Sequence, residues 1–236
     1  MTPLGFCFIM LVMSHRKIPI VIDQVYHVFN RSIGRVPIFT ENRDYQRALN
    51  VLTFYSYHNP SLRFSHYNRL PQLQKVGFMD GLKQKADKQI ELFAFCFMPN
   101  HIHFLIKEIR EKGITTFMSN FQNSYAKYFN TKENRSGGLF QQMFKSTLIE
   151  ADEQLIHVAR YIHLNPVTAF IIKNFKDLVL YPWSSYPTYV GKNSSDILNT
   201  EVILSHFKSL QRFIEFTQDQ VNYQRKLDRI KHLILE

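Results

Sequence analysis

The 236-residue chain is 45% hydrophobic and 14% aromatic, enough apolar material for a sizeable core, which excludes global disorder. A formal net charge of +10 and a pI of about 9.6 favour polyanionic partners, nucleic acid before anionic membrane. The two cysteines, Cys7 and Cys96, share no short motif, which rules out a disulfide scaffold and a Cys-x-x-Cys zinc site and suits a reducing, cytoplasmic setting.

The opening MTPLGFCFIMLVM is apolar, but it lacks a basic start and a cleavage site and is too short to span a bilayer. Residues 1–17 therefore read as a disordered leader or an early start with Met13 heading the folded part, a weak signal sequence being the alternative, and no later stretch predicts a membrane span. From Ile18 to Gly34, IPIVIDQVYHVFNRSIG is β-branched and aromatic and closes in a turn, which predicts one strand or two short ones. Asp44 to Tyr57 has Ala48, Leu49, Leu52 and Tyr55 at helical spacing behind Asp44, read as the N-cap. The turn-rich, basic HNPSLRFSHYNRLPQ and the polar stretch 83–89 look like an insertion.

QIELFAFCFMPNHIHFLIKE then reads as two strands meeting at Pro99-Asn100. A helix follows over 115–129, with Phe117, Met118, Phe121, Tyr125 and Tyr128 on one face. Ser136-Gly137-Gly138 leads to a short strand over 145–149. Asp152 to about Asn165 forms a second helix, its acidic start suited to the positive helix end and its stop set by Pro166. Residues 192–236 read as a helical, charged extension. Strands and helices alternate irregularly, which predicts an α+β sandwich: an antiparallel sheet with helices on one face.

Within FMPNHIHFLI, His101 and His103 are two apart on a strand and project to the same side, while Ile102 and Phe104 face a core. Two imidazoles beside a turn can share a metal ion or a phosphate oxygen; the plainer alternative is hydrogen bonding to nearby backbone. Hydrolases with three alternating histidines do not fit, because the third place is Leu105. In ARYIHLNPV, Tyr161 and Asn165 are four apart and stack on one helical face. Asn165 offers an amide oxygen as a third metal ligand, and Tyr161 a hydroxyl one turn away. Tyr125 and Tyr128 are also helical tyrosines near basic residues, and the residues alone do not exclude them as the nucleophile.

Taken together, VYHVFNRSIGRVPIF, FCFMPNHIHFLIKE, NSYAKYFN, GGLFQQMFKS, ARYIHLNPVTAF and YPWSSYPTYVG resemble, in order, the REP-associated tyrosine transposases of the single-tyrosine HUH transposase family. The resemblance covers roughly residues 20–191, so residues 18–191 are taken as the transposase domain. It implies a ferredoxin-like fold with the histidine pair on a central strand and a tyrosine helix facing it. It further implies His101, His103 and Asn165 as metal ligands and Tyr161 as the catalytic nucleophile. Imidazole ligands alone point to zinc or manganese; the resemblance implies magnesium, with manganese as substitute.

The implied activity is metal-dependent cleavage and transfer of single-stranded DNA at hairpin-forming repeats, through a 5′-phosphotyrosine link, by a cytoplasmic monomer or homodimer. Two alternatives stand beside it: a domesticated DNA-binding protein that recognises structured repeats without strand transfer, and an HUH replication or conjugation nickase. Lys107, Arg110, Lys112, Lys127, Lys132, Arg135 and Lys145 face only Glu108, Glu111 and Glu133, an excess suited to backbone phosphates. Arg31, Lys127, Arg135 and Lys145 are the expected DNA contacts, and Phe140, Trp183 and Tyr186 could stack on unpaired bases; solvated lysines and core aromatics are the plainer alternative for each, so the patch as a whole carries the expectation.

Overall fold

A computed structural model describes residues 19–222. The leader and the end of the C-terminal extension lie outside them, as does Cys7. The first strand, β1 (Val25–Arg31), buries Tyr26, Val28 and Asn30 and leaves the alternate residues half-buried. A short 3-10 turn, Ile33–Arg35, follows it.

Helix α1 (Asn42–Tyr55) starts two residues before the expected N-cap. Asp44 instead occupies the third position of its first turn. Its carboxylate accepts hydrogen bonds from Thr40 N at 2.9 Å and from the Thr40 hydroxyl at 2.8 Å, so it ties the preceding loop to the helix. The expected insertion is itself helical: α2 (Phe64–Tyr67) and α3 (Gln72–Lys85) fill it. No residue of α3 is fully buried, and without a buried face the sequence carries no period to announce it.

Strands β2 (Ile90–Met98) and β3 (His101–Glu108) form a hairpin around Pro99-Asn100. That turn is pinned from outside: Ile38 N and Phe39 N donate to the Pro99 carbonyl, and Ser32 N to that of Asn100. Helix α4 (Gly113–Lys132) begins where the buried Glu108 carboxylate accepts from Gly113 N at 3.1 Å and Ile114 N at 2.7 Å. Strand β4 (Lys145–Ile149) has the expected bounds. Helix α5 (Asp152–Thr168) continues through Pro166. The proline gives up one backbone donor, but Leu164 and Val167 are fully buried on this stretch, and their packing outweighs that loss. Beyond it come a 3-10 turn (Phe175–Leu180) and the short helices α6 (Tyr186–Tyr189), α7 (Glu201–Leu204) and α8 (Leu210–Gln218).

The sheet order is β2-β3-β1-β4 with every pair antiparallel, and the chain order β1-α1-β2-β3-α4-β4 gives it ferredoxin-like connectivity. As expected, α1 and α4 cover one face: Val28, Phe104 and Ile106 pack against Phe117, Phe121 and Tyr125. The other face departs from the expectation of helices on one face only. There Phe93, Cys96, Met98 and Leu105 form a second core with Leu155, Ile162, Leu164 and Phe213, carried by α5 and the C-terminal elements. The reason is in β2, which is apolar on both sides and buried along nearly its whole length; such a strand needs cover on both faces.

Candidate active site

Strand parity builds the site. His101 and His103 point to the α5 side of β3, their ring centroids 5.0 Å apart, while Ile102 and Phe104 fill the α1/α4 core. On β1, Arg31 lies opposite His101 and Phe29 opposite His103. Helix α5 crosses β2 and β3 on this side and sets the Tyr161 ring edge-on to His103, with centroids 5.6 Å apart. One turn later the Asn165 amide nitrogen donates to the Tyr161 carbonyl at 2.8 Å, and the same side chain lies beside the His101 ring. His101, His103, Tyr161 and Asn165 are thus brought together from segments some sixty residues apart.

Electrostatics keep His101 neutral. Burial, and after it the nearby Arg31 charge, lower its pKa to about 4, so near neutral pH the ring carries a lone pair and no charge. Its Nδ1 sits 2.6 Å from Asn100 Oδ1, an atom that can only accept. Nδ1 therefore carries the proton and Nε2 the lone pair. Among the described residues no three histidine, cysteine, aspartate or glutamate side chains are grouped as a metal site. The set here is different, two imidazoles and an amide oxygen, and a ligating imidazole whose other ring nitrogen is held by a neighbouring acceptor is the usual arrangement around a bound ion. The donor set fits a divalent ion.

Sequence reasoning missed His27. It stands on the same face of β1, diagonal to His103, and its Nε2 lies 2.9 Å from His103 Nδ1. The planes differ by 19° with centroids 5.2 Å apart, so the two imidazoles meet edge to edge. Burial lowers the His27 pKa to about 4. Its ring also touches Tyr161 edge-on at 5.9 Å. In the sequence it was one histidine among β-branched residues, and only the pairing of β1 with β3 reveals its neighbour.

The other two candidate tyrosines lie away from the histidine pair. Tyr125 is fully buried on the opposite side of the sheet, its hydroxyl donating to the Ile38 carbonyl at 2.5 Å and its pKa pushed up by burial. Tyr128, on the same helix, donates to Asp44. The aromatics expected to stack on bases are mostly structural. Phe140 and Tyr186 are buried in the two cores, and Trp183 stacks on Tyr45 at 4.9 Å.

The expected basic residues divide. Arg31 and Lys145 lie on the site's face, because Phe29 pairs with both His103 and Lys145 across the ladders. Lys145 is exposed there, and so is Thr147, the partner of His27. Lys127 is exposed on α4, on the far side of the sheet, and Arg135 donates to the Gly138 carbonyl in the loop after it. Lys107, Arg110 and Lys132 are tied up in ion pairs with Asp23, Asp87 and Asp44.

Residues 81–165 match the family described as transposase, IS200-like. This segment is similar to that family. All four clustered residues lie inside it. A Haemophilus influenzae protein provisionally named a REP-associated tyrosine transposase is 28% identical over 120 residues, which cover 46% of this chain. The chain spans 66% of that relative, just under two thirds of its length. A solved REP-associated tyrosine transposase bound to a REP hairpin shares the fold at a TM-score of 0.50 and 16% identity, over 79% of this chain and 94% of that one. Among the described residues no helix is long and apolar enough to cross a membrane.

Proposed function

We propose that the protein is a REP-associated, single-tyrosine HUH transposase, a metal-dependent enzyme that cuts and rejoins single-stranded DNA at hairpin-forming repeats in the cytoplasm. The observation that carries this reading is the convergence of His101, His103, Asn165 and Tyr161 on one sheet face. A binding module without strand transfer has no use for a tyrosine hydroxyl beside two imidazoles.

In this reading His101, His103 and the Asn165 oxygen hold a divalent ion, magnesium with manganese as substitute. The bound ion supplies charge neutralisation at the scissile phosphate. Tyr161 attacks the phosphorus; the tyrosyl O–P bond forms as the P–O3′ bond breaks. The electron pair leaves with the 3′ oxygen, which takes up one proton for the one the phenol gives up. A 5′-phosphotyrosine and a free 3′-hydroxyl result, with the bond energy retained for rejoining. An ordinary phenol, with a pKa near 10, is a poor nucleophile, and Arg31, opposite His101 on the same face, would add positive charge where the phosphate is attacked. Arg31 and Lys145, on the uncovered part of the same face, neutralise backbone phosphates on either side of the cut.

The test is a denaturing-gel assay for a covalent protein–DNA adduct on single-stranded hairpin repeats, with magnesium, manganese or chelator. The expected result is a metal-dependent adduct that disappears with Tyr161→Phe and survives Tyr125→Phe. Tight DNA binding without an adduct under any metal would replace this reading with the binding module. An adduct that is never passed to a second DNA would point instead to a nickase.

A further inference from the structure

We propose that His27 is a positioning residue: it accepts a hydrogen bond from His103 Nδ1 and so fixes the His103 ring in the tautomer that presents Nε2 to the ion. This rests on the metal-dependent reading above and adds to it a residue that lies outside the histidine pair and the tyrosine helix.

The geometry comes from two matched pairs. His101 and His103 project from the same strand face, and each has a polar neighbour at its Nδ1: Asn100 Oδ1 at 2.6 Å for the first, His27 Nε2 at 2.9 Å for the second. The Asn100 oxygen can only accept, so His101 carries its proton on Nδ1. Two imidazoles that share one ion through the same ring nitrogen must both keep the proton on the other. For His103 that requires His27 Nε2 to accept. An imidazole is a usable acceptor only in one of its neutral forms, so His27 performs for His103 the task that an amide oxygen performs for His101.

The placement is also mechanically sound. The two rings meet edge to edge, 19° from a common plane, which is the orientation that lines an in-plane N–H up with an in-plane lone pair. His27 is diagonal to His103 across an antiparallel pair, a spacing that aromatic side chains bridge. Phe29, the direct cross-strand partner of His103, lies nearly parallel to both rings at 5.0 and 5.7 Å and limits their rotation. A ligand orientation held by a neighbour's hydrogen bond typically contributes 10- to 100-fold to metal affinity, by order of magnitude.

The experiment uses the full chain and two readouts. Long-range proton–nitrogen NMR on the metal-free protein reads the His103 tautomer directly; the expected result is protonation at Nδ1. Titration with Mn2+ reads affinity, and His27→Phe is expected to weaken it by about 10- to 100-fold. His27→Gln, whose side-chain oxygen can accept in place of Nε2, is expected to recover most of the loss. Circular dichroism separates either effect from misfolding.

His103 protonated on Nε2, or equal Mn2+ affinity in wild type and His27→Phe, would overturn the proposal. A His27→Gln as weak as His27→Phe would also count against hydrogen-bond acceptance and reduce His27 to a packing residue. If wild type binds no Mn2+ at all, the metal-dependent reading falls, and the NMR result still decides which of the two histidines donates.

Discussion

The two faces of the central sheet are built from alternate residues of the same strands and behave as two different materials. On the α1/α4 side Ile102, Phe104 and Ile106 meet a closed aromatic layer. On the α5 side His101 and His103 meet Tyr161, Asn165 and His27, and part of the face stays open at Lys145 and Thr147. One face is apolar core throughout, whereas the other combines a second core, reached by Leu105, with polarity that stability would not ask for. A one-residue step from His103 to Ile102 or Phe104 therefore passes from chemistry to fold, and substitutions at these positions should divide the same way.

The largest separation is expected between His103→Ala and Gly113→Ala. The first is expected to abolish metal-dependent adduct formation, by at least about 1000-fold, while the protein stays folded. The second adds a Cβ that would lie 2.2 Å from the Gln89 carbonyl oxygen, so backbone must shift at the start of α4. It is expected to cost about 3 kcal/mol or more of stability by urea denaturation, with adduct formation per folded molecule unchanged. An adduct lost in Gly113→Ala at full folding would show that the two faces are coupled.

Tyr125→Phe sharpens the comparison at a smaller scale. It removes a buried hydroxyl that donates to the Ile38 carbonyl and is expected to cost about 1–2 kcal/mol, because that carbonyl is left without the bond. The same Tyr→Phe change at Tyr161 is expected to cost all the adduct and little stability, since that ring is only partly buried.

Acid should find the site's face first. Burial lowers His27 and His101 to about 4, against about 6.5 in an unfolded chain. Below pH 6.5 the unfolded state therefore binds more protons than the folded one, and stability falls as pH falls towards 4. Urea midpoints measured from pH 7.5 down to pH 4 are expected to decline over that window. The double variant His27→Gln/His101→Gln is expected to decline less steeply; an unchanged slope would place the acid sensitivity elsewhere, with the fully buried His163 the next group to test.

Much of this division was legible beforehand. The His-x-His spacing fixed which side the imidazoles share, because strand parity admits one answer, and the bounds of β4 followed from its turn. Tyr161 and Asn165 read correctly as one helical face. What was hidden depended on pairing between distant segments. His27 gains meaning only when β1 lies against β3, since nothing near it in sequence shares its role. The second layer was hidden because ELFAFCFM, buried on both sides, has no polar alternation to say which face is free. Helix α3 was hidden for the opposite reason, having no buried face. Phe140 and Tyr186 took the plainer of their two readings, the core, and the sequence left the choice open because a buried aromatic and a base-stacking aromatic look alike there.

The smallest expected effect concerns the cations, and it tests the openness of the site's face most directly. Arg31 and Lys145 flank Phe29 and the histidines on the uncovered part of that face, whereas Lys127 lies on the other side of the sheet. If single-stranded DNA runs along the open face, Arg31→Ala and Lys145→Ala should each weaken hairpin binding severalfold. Each should also reduce the slope of log affinity against log salt by about 0.7–0.9, the share of one phosphate contact. Lys127→Ala should leave both affinity and slope nearly unchanged. Fluorescence anisotropy across a salt series measures all three. Equal losses for Lys145 and Lys127 would mean that DNA is held by charge spread over both sides of the sheet, and the path along Phe29 would have to be abandoned. A loss confined to Arg31 and Lys145 would tie the bound strand to the surface on which Tyr161 stands, and the adduct and binding experiments would then report on the same face.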